Sequence, residues 1–358
     1  MIKQSLAKLL DLLQPISAES KMFFIQHIGV MVKSGLPLHD ALTTLAEEVE
    51  GKRFKKILTA VARTVSEGTS LSESLARYPD VFGELFTNMV RAGETSGKLE
   101  ETLRELHMQL AKDHALRAKV KAALIYPSVI VVVMIGIAIF MMTVVMPRLI
   151  SVFDDINVAL PFATQMVIAI SRFITRNGVL AAFLAVTITA GAILGLRHPQ
   201  GKALAHHALL RSPIIGKIVK KINLAIFSRT LSSLLKTDIP FAQSLTITSS
   251  VVNNIHYHKA IAHFSDAVKQ GITLEELLRK EPALFPPLVR QMVSVGEKTG
   301  TLDTILSDVA TFYEAEVTNT METLPALIEP LLIVTLGLGV AGLAVAVIMP
   351  MYSLAQQF

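Results

Sequence analysis

The stretch whose residue types come closest to a chemical site is an octapeptide similar to a phosphate-binding loop. Residues 92–99 read Ala-Gly-Glu-Thr-Ser-Gly-Lys-Leu. In the loop pattern G-x-x-x-x-G-K-[ST], backbone N–H groups cradle phosphates, the lysine reaches them and the hydroxyl binds Mg²⁺. Here position 92 is alanine, and Leu99 occupies the place of the hydroxyl. The second copy of the stretch has Thr301 in place of the lysine, so we do not expect nucleotide binding.

The ten histidines do not form a metal-binding or catalytic pattern either. Their close groupings are His206-His207 and His256-Tyr-His258, and neither has the spacing of four with a glutamate that zinc proteases use. The chain contains no cysteine, which excludes disulfides and thiolate ligands. No G-x-S-x-G elbow or glycine-rich dinucleotide loop occurs. We therefore predict surface histidines, no catalytic residue, no metal site and no cofactor.

The octapeptide belongs instead to a motif, G-E-x-[ST]-G-x-L, that occurs twice. The second copy begins 296 − 93 = 203 residues after the first, and the same offset relates many other positions without a gap. The motif residues are Gly93, Glu94, Ser96, Gly97 and Leu99 in the first copy, and Gly296, Glu297, Thr299, Gly300 and Leu302 in the second. The protein is therefore an internal duplication of residues 21–149 and 224–352.

Two interpretations of the motif stay open. In the structural one, a glycine in the left-handed conformation ends a helix, and Gly97 or Gly300 N-caps the next helix. Glu100 and Asp303 follow three residues later, where an acidic side chain favours the start of a helix. In the functional one, the motif is a surface knuckle that binds a partner protein. The two interpretations are compatible.

The elements that must position this motif are helices. Apolar residues recur at helical spacing from residue 21 onward, and no segment shows the period of two that strands have. The predicted fold class is all-α. A mean hydropathy of +0.51 and a charged fraction of only 18% are typical of an integral membrane protein. Three uncharged runs are close to the roughly 20 residues that cross a bilayer. They are Ser128–Met146, Gly178–Leu196 and Leu331–Met349.

These patterns predict two duplicated cytoplasmic helical bundles and three transmembrane helices. The segments are residues 1–20 as an N-terminal amphipathic arm, 21–125 as the first cytoplasmic bundle, 126–147 as transmembrane helix 1, 148–177 as an outer loop with an interfacial helix, 178–196 as transmembrane helix 2, 197–223 as a basic linker, 224–328 as the second cytoplasmic bundle, 329–350 as transmembrane helix 3 and 351–358 as an outer tail. The arm binds a partner or packs as an ordinary helix on its own domain. Pro127 and Pro330 are predicted to kink the spans that they enter.

The middle span returns the chain, so that both bundles lie on one side of the membrane. Basic residues flank this side of the first two spans and are scarcer in the loop between them. They are Lys112, Arg117, Lys119 and Lys121 before span 1, Arg197, Lys202, Arg211, Lys217, Lys220 and Lys221 after span 2, and Arg148, Arg172 and Arg176 in the loop. The positive-inside rule therefore places the bundles and the N-terminus in the cytoplasm. No lysine or arginine follows Lys298, so the orientation of span 3 depends on the odd number of spans.

The duplicated helical domain, the paired motif and the proline-entered spans resemble the type II secretion system protein F family, over residues 21–352. That family includes the inner-membrane platform proteins of type IV pilus assembly. The resemblance implies a multi-pass, non-enzymatic protein of the bacterial cell inner membrane. It also implies as partners a cytoplasmic assembly ATPase, pilin or pseudopilin subunits, other inner-membrane assembly proteins and further copies of the chain in a homodimer or higher homo-oligomer. The client can be a pilus, a secretion pseudopilus or a DNA-uptake fibre.

A membrane transporter built on an internal repeat is the alternative function. Transporter repeats usually duplicate several spans and place polar groups at mid-membrane, whereas each repeat here has one span without ionisable residues. A membrane-anchored ATPase is opposed by the missing phosphate-binding loop. The net charge of +5 is dispersed and the chain has no tryptophan, so we do not expect nucleic-acid binding.

Overall fold

The computed structural model describes residues 16–148, 150, 162–212 and 215–355. These residues form helices and no strand, which confirms the all-α class. The helices are α1 Ala18–Lys33, α2 Leu38–Glu48, α3 Lys52–Ser66, α4 Leu71–Ala76, α5 Glu84–Ser96, α6 Leu99–Phe140, α7 Phe162–Arg176, α8 Gly178–Arg197, α9 Pro199–Arg211, α10 Ile215–Lys236, α11 Phe241–Val251, α12 Ile255–Val268, α13 Leu274–Lys280, α14 Pro287–Thr299 and α15 Leu302–Ala355, with a π-helix at Met141–Val145 after α6. The chain divides into one compact unit of residues 1–118 and 206–318 and another of residues 119–205 and 319–358.

The duplication is present in the helix boundaries themselves. Helices α2 and α11 begin at Leu38 and Phe241, and α3 and α12 begin at Lys52 and Ile255, each pair 203 residues apart. The same offset separates the first residues of α4 and α13, of α5 and α14, and of α6 and α15. Each half of the first unit is therefore one copy of the same bundle.

Local sequence signals set these boundaries in both copies. Gly68 and Gly271 have φ values of 92° and 86°, a conformation that a side chain with a Cβ rarely adopts, and each ends a bundle helix. Two residues later, Ser70 and Thr273 N-cap α4 and α13, with side-chain oxygens that accept from the N–H three residues on. A glutamate stands at that third position in both copies, so each start has the sequence pattern of a capping box.

Three aromatic rings form the centre of each bundle. In the first, Phe24, Phe54 and Phe82 are fully buried, with ring centroids 6.0–6.3 Å apart. In the second, the equivalent rings are Phe227, Tyr257 and Phe285, with neighbouring centroids 5.3–5.4 Å apart. The hydroxyl of Tyr257 donates to the carbonyl oxygen of Leu284 at 2.6 Å. This bond satisfies the hydroxyl that Tyr257 carries where the first bundle has Phe54.

The other unit contains the apolar helices. Two helices in the described part of the chain are long and apolar enough to cross a membrane, Leu99–Arg148 and Leu302–Gly342. Helix α8 has 20 residues, and transmembrane helix 2, which it was predicted to form, stays a prediction. Helix α15 continues to Ala355, five residues beyond the predicted end of its span at 350. Pro127 and Pro330 lie inside α6 and α15.

One predicted segment has more regular structure than expected. The predicted linker 197–223 is mostly helical, because α9 fills its first part and α10 begins at Ile215. The predicted outer loop contains α7, whose Ser171 hydroxyl donates to the carbonyl oxygen of Met142 at 2.7 Å. The interfacial location of α7 stays a prediction. Most of the N-terminal arm, residues 1–15, lies outside the described residues, and α1 begins at Ala18.

Candidate functional site

Each copy of the motif forms a tight turn between two helices. Gly97 ends α5 with φ 69° and ψ 12°, and Gly300 ends α14 with φ 71° and ψ 17°. This left-handed conformation suits glycine because other residues place a Cβ against the backbone. The next helices begin at Leu99 and Leu302, so the residue between glycine and leucine, and not the glycine as predicted, is the N-cap.

The first glycine of the motif allows two helices to approach closely. Gly93 is buried, and a Cβ added to it would lie 2.7 Å from Oγ1 and 2.8 Å from Cβ of Thr102. A Cβ on Gly296 would lie 3.0 Å from Cα of Leu302 and 3.3 Å from Cβ of Ile305. The glycine is therefore required because the helix after the turn folds back against the helix before it.

The motif glutamate binds the start of another helix. The Glu94 carboxylate accepts from the backbone N–H of Leu71 at 2.5 Å and of Ser72 at 2.9 Å. The Ser70 hydroxyl accepts from the third N–H of the same helix, so three of the four N–H groups that a helix start leaves free are bonded. A negative charge at this end also interacts favourably with the helix dipole.

The second repeat contains the same arrangement. The Glu297 carboxylate accepts from the N–H groups of Leu274 and Glu275 at 2.6 and 2.9 Å. Both motif glutamates are half-buried, and each joins the last helix before the turn to a helix that begins 23 residues earlier. In both copies the glutamate therefore links two helices of its own bundle.

The hydroxyl and the leucine of the motif also make contacts within the bundle. The Ser96 and Thr299 hydroxyls donate to the carbonyl oxygens of Ala92 and Val295, four residues back. Leu99 packs against the core of the first bundle. Every defined motif position in the first copy thus has a structural contact. The exposed part of the turn leaves a partner-binding role possible, and that role stays a prediction.

The two bundles contact each other through a polar cluster that the sequence analysis did not identify. The Gln109 amide of α6 donates to the Thr230 hydroxyl of α10 at 3.1 Å. The Ser233 hydroxyl shares its proton between Glu105, at 2.9 Å, and the Gln109 side-chain oxygen, at 3.1 Å. Gln109, Thr230 and Ser233 are all buried, so these bonds satisfy groups that would otherwise be costly to remove from water.

Ion pairs and apolar residues surround this cluster. Lys98 contacts Asp238 at 3.0 Å, and this hydrogen bond raises the pKa of the Lys98 ammonium. Lys112 lies 3.9 Å from Glu314, whose two oxygens also accept from Arg229 at 2.8 and 3.0 Å. Three residues of the second bundle join the hydrophobic cluster of the first: Leu234, Ile239 and Ile247. The two copies therefore share one continuous packed interface.

The histidine groupings lie beside a basic cavity of about 570 Å³ in this unit. The rings of His207 and His256 are 5.5 Å apart. Burial lowers the pKa of His256, and the neighbouring His207 and Lys259 lower it further. No group of three or more metal-ligating side chains occurs in the described part of the chain. Chemically, this arrangement places positive charge around a cavity.

One sequence signal could have indicated the bundle interface. Helix α10 carries small polar residues on several sides, and all of them are buried. They are Ser228, Thr230, Ser232 and Ser233. A helix without an exposed face must pack against neighbours on every side. The equivalent positions of α1 include the exposed Val30. The difference in exposure between α1 and α10 shows that α10 is the one of the two that is buried between the bundles.

The comparisons with known proteins agree with one another. The type II secretion system (T2SS), protein F family matches residues 24–147 and 227–350, again 203 residues apart. The chain is 34% identical over 331 residues to the type IV pilus assembly protein PilC of Thermus thermophilus, with 92% of this chain and 81% of that protein covered. It is 31% identical to PilC of Myxococcus xanthus, with 95% and 81% covered. It is 32% identical to type II secretion system protein F of Vibrio cholerae, with 94% and 82% covered.

Proposed function

Because the chain belongs to the type II secretion system protein F family, we propose that it is an inner-membrane platform protein of a type IV pilus or type II secretion machine. In this role it couples a cytoplasmic assembly ATPase to the polymerisation of pilin or pseudopilin subunits. The names of its relatives support both clients, since those relatives include pilus assembly proteins and secretion proteins at similar identity. The function is structural and mechanical, and we assign it no catalytic residue.

The observation that carries the proposal is the continuity of α6 and α15. Helix α6 has 42 residues and α15 has 54, and each begins in the motif turn of its bundle. At a rise of about 1.5 Å per residue, α6 is about 63 Å long. Each of the two helices contains an apolar segment long enough to cross a membrane. A movement of the bundle can therefore reach the apolar segment through one continuous helix.

The packing of the bundles supports the same mechanism. Since the two copies share one interface with a buried hydrogen-bonded cluster, a force on one bundle also moves the other. The ATPase would move this pair as one body. Coupling of this kind requires two discrete arrangements that the ATPase favours in turn.

The topology of the proposal has three spans, with both bundles and the N-terminus in the cytoplasm. The basic residues beside the first two spans support this orientation. Reporter tags beside Asp80 and Glu281 test it, and we expect both tags to be cytoplasmic. Tags in different compartments would contradict the topology and the shared interface of the bundles.

The decisive experiment interrupts α6 without disturbing either bundle. A Gly-Gly-Ser insertion after Lys119 places three flexible residues between the bundle and the apolar segment. We expect this variant to insert into the membrane and to copurify with the assembly ATPase, but to lose surface pili or secretion in a strain that lacks the natural gene.

The matched control is the same insertion after Glu50, in the exposed turn before α3. It adds the same residues to the same bundle but leaves α6 continuous, so we expect assembly to continue. Normal assembly with the insertion in α6 would refute mechanical coupling through this helix. Failure of the wild-type protein to copurify with the ATPase would refute the proposed partner.

A further inference from the structure

The two bundles of one chain meet through different faces. Face A, on the first bundle, consists of Asn88, Lys98, Glu105, Gln109 and Lys112. Face B, on the second bundle, consists of Thr230, Ser233, Asp238, Gln243 and Glu314. Each residue of face A contacts a residue of face B at 2.9–3.9 Å. The contact is therefore heterologous, since neither bundle uses the same face as its partner.

Because the bundles are duplicates, each one carries surfaces equivalent to both faces, and among the described residues one such surface on each bundle does not contact the other bundle. Adding 203 to face A gives face A′ on the second bundle, and subtracting 203 from face B gives face B′ on the first. Face A′ consists of Gln291, Thr301, Asp308, Phe312 and Ala315, and face B′ of His27, Val30, Gly35, Asp40 and Ala111.

In the described part of the chain, the central residue of each of these two faces is exposed. Phe312 of face A′ is 47% exposed, whereas its equivalent Gln109 is 3% exposed. Val30 of face B′ is 61% exposed, whereas its equivalent Ser233 is 1% exposed. The equivalent positions are buried against the other bundle in the other copy of each face, whereas here a phenylalanine and a valine are exposed.

We propose that face A′ of one copy binds face B′ of a second copy, in the arrangement by which face A binds face B within the chain. The occupant of each uncovered face is thus another molecule of this protein. The inference does not rest on the proposed function, because it follows from the duplication and from the contact between the bundles.

The residues of the two uncovered faces complement each other where the internal faces do. Within the chain, Gln109 bonds to Thr230 and Ser233. In the proposed contact, Phe312 takes the place of Gln109, and His27 and Val30 take the places of its partners. The polar side chains of the internal contact are therefore replaced by apolar or aromatic side chains on both faces. Burial of the Phe312 ring against Val30 removes apolar surface from water.

The charged positions change in the same coordinated way. The ion pair Lys98–Asp238 corresponds to Thr301 and Gly35, so both charges are absent together. The pair Lys112–Glu314 corresponds to Ala315 and Ala111, again without either charge. Loss of a single partner would leave an unpaired charge in the contact, which is costly. Here the proposed contact contains no such orphan at either position.

The remaining positions fit the same arrangement. Gln243 bonds to Asn88 within the chain, and the corresponding pair is Asp40 with Gln291, a carboxylate with an amide donor. Asp308 takes the place of Glu105 and comes opposite Val30, with the ammonium of Lys33 one helical turn further along. Lys33 already contacts Glu100 at 3.3 Å, so Asp308 would join an existing ion pair.

A groove beside Val30 gives the Phe312 ring a place to enter. Its volume is about 280 Å³, and Gly29, Leu103 and His107 also line it. In the second bundle, the residue equivalent to the groove residue Gln26 is Arg229, which bonds to Glu314. Interfaces are commonly anchored by an aromatic side chain in such a pocket.

The faces also discriminate against the wrong pairing. If face A′ bound face B, Phe312 would cover the hydroxyls of Thr230 and Ser233 without a hydrogen bond, and Asp238 would lose its lysine. Buried groups left without partners cost about 1–3 kcal/mol each. The contact therefore links copies head to tail, and it forms a ring where the rotation between copies closes.

Cysteine cross-linking tests the proposal directly, because the natural chain contains no cysteine. Val30→Cys and Phe312→Cys are made on separate copies that carry tags of different size. The two copies are coexpressed, and the full-length protein in membranes is treated with a short thiol-specific cross-linker. We expect a linked product that contains both tags, and no linked product when either variant is expressed alone.

The internal equivalents provide the matched positive control. Gln109→Cys and Ser233→Cys on one chain occupy the same two positions of the internal contact, and they must link within that chain. Thr59→Cys, on the exposed surface of α3, replaces Val30→Cys as the negative control.

Three outcomes would overturn the proposal. The first is no product with both tags while the Gln109 and Ser233 control links. The second is a dimer formed by Val30→Cys alone, which would indicate a two-fold contact between identical faces. The third is linkage of Val30→Cys to a cysteine at Leu6 of the same chain, which would assign face B′ to the N-terminal arm.

Discussion

The contact between the motif glutamate and a distant helix start allows a quantitative prediction. In Glu94→Gln the side chain keeps its shape and one acceptor oxygen, but it loses the charge and presents an N–H₂ group to the N–H of Leu71 or Ser72. One hydrogen bond to a charged group is lost, which costs about 1.5–3 kcal/mol. The favourable interaction with the dipole of α4 is lost as well, about 0.3–1 kcal/mol. We expect a total destabilisation of about 2–4 kcal/mol.

Hydrogen exchange measures this effect at the site itself. Glu94→Gln should accelerate exchange in a peptide that spans α4 by at least about tenfold, since about 1.4 kcal/mol corresponds to a factor of ten. Thermal unfolding of the full-length protein in detergent should show a lower midpoint. Glu297→Gln should act in the same way on α13, because the second copy has the same two bonds.

Glu47→Gln is the matched control, because Glu47 is exposed on α2. Removal of an exposed charge usually changes stability by less than about 0.5 kcal/mol. If Glu94→Gln and Glu47→Gln had the same exchange rates in α4, the carboxylate would not hold the start of this helix, and the structural account of the motif would be refuted.

Three further substitutions test other parts of the structure by thermal unfolding in detergent. Gly93→Ala should destabilise the protein by about 1–3 kcal/mol, because the new Cβ would lie 2.7 Å from a Thr102 oxygen and the two helices must separate. Tyr257→Phe should cost about 1–2 kcal/mol, since the carbonyl oxygen of Leu284 loses its buried donor. Arg229→Met should cost about 1–3 kcal/mol, since it leaves a half-buried carboxylate without its bidentate partner.

Each substitution has a matched control on the same chain. Gly83→Ala adds a Cβ with no neighbour within 4 Å. Tyr126→Phe removes an exposed hydroxyl, and Arg91→Met removes an exposed guanidinium. A midpoint for any test variant equal to that of its control would contradict the contact assigned to that residue.

Several features could be predicted from the sequence because they are encoded locally. Gly97 and Gly300 end helices because a residue in the left-handed conformation is needed there, and glycine is the residue type that adopts it readily. The offset of 203 also fixed where the helices α11 to α15 of the second bundle begin, because equal local signals produce equal boundaries. The same reasoning placed the N-cap one residue early, since helix termini depend on backbone details that residue type specifies weakly.

Other features depend on which surfaces meet in the folded chain. The sequence around Glu94 does not predict that its carboxylate binds the start of a helix 23 residues earlier. That contact depends on how α4 and α5 pack. Likewise, Gln109 and Ser233 are 124 residues apart, and an exposed glutamine has the same sequence pattern as a buried one. The sequence by itself determined the duplication, the helical class and the turns, because these depend on residues close together in the chain. Only the tertiary structure decided which of the two equivalent faces on each bundle is buried, because that depends on contacts between residues far apart in the chain.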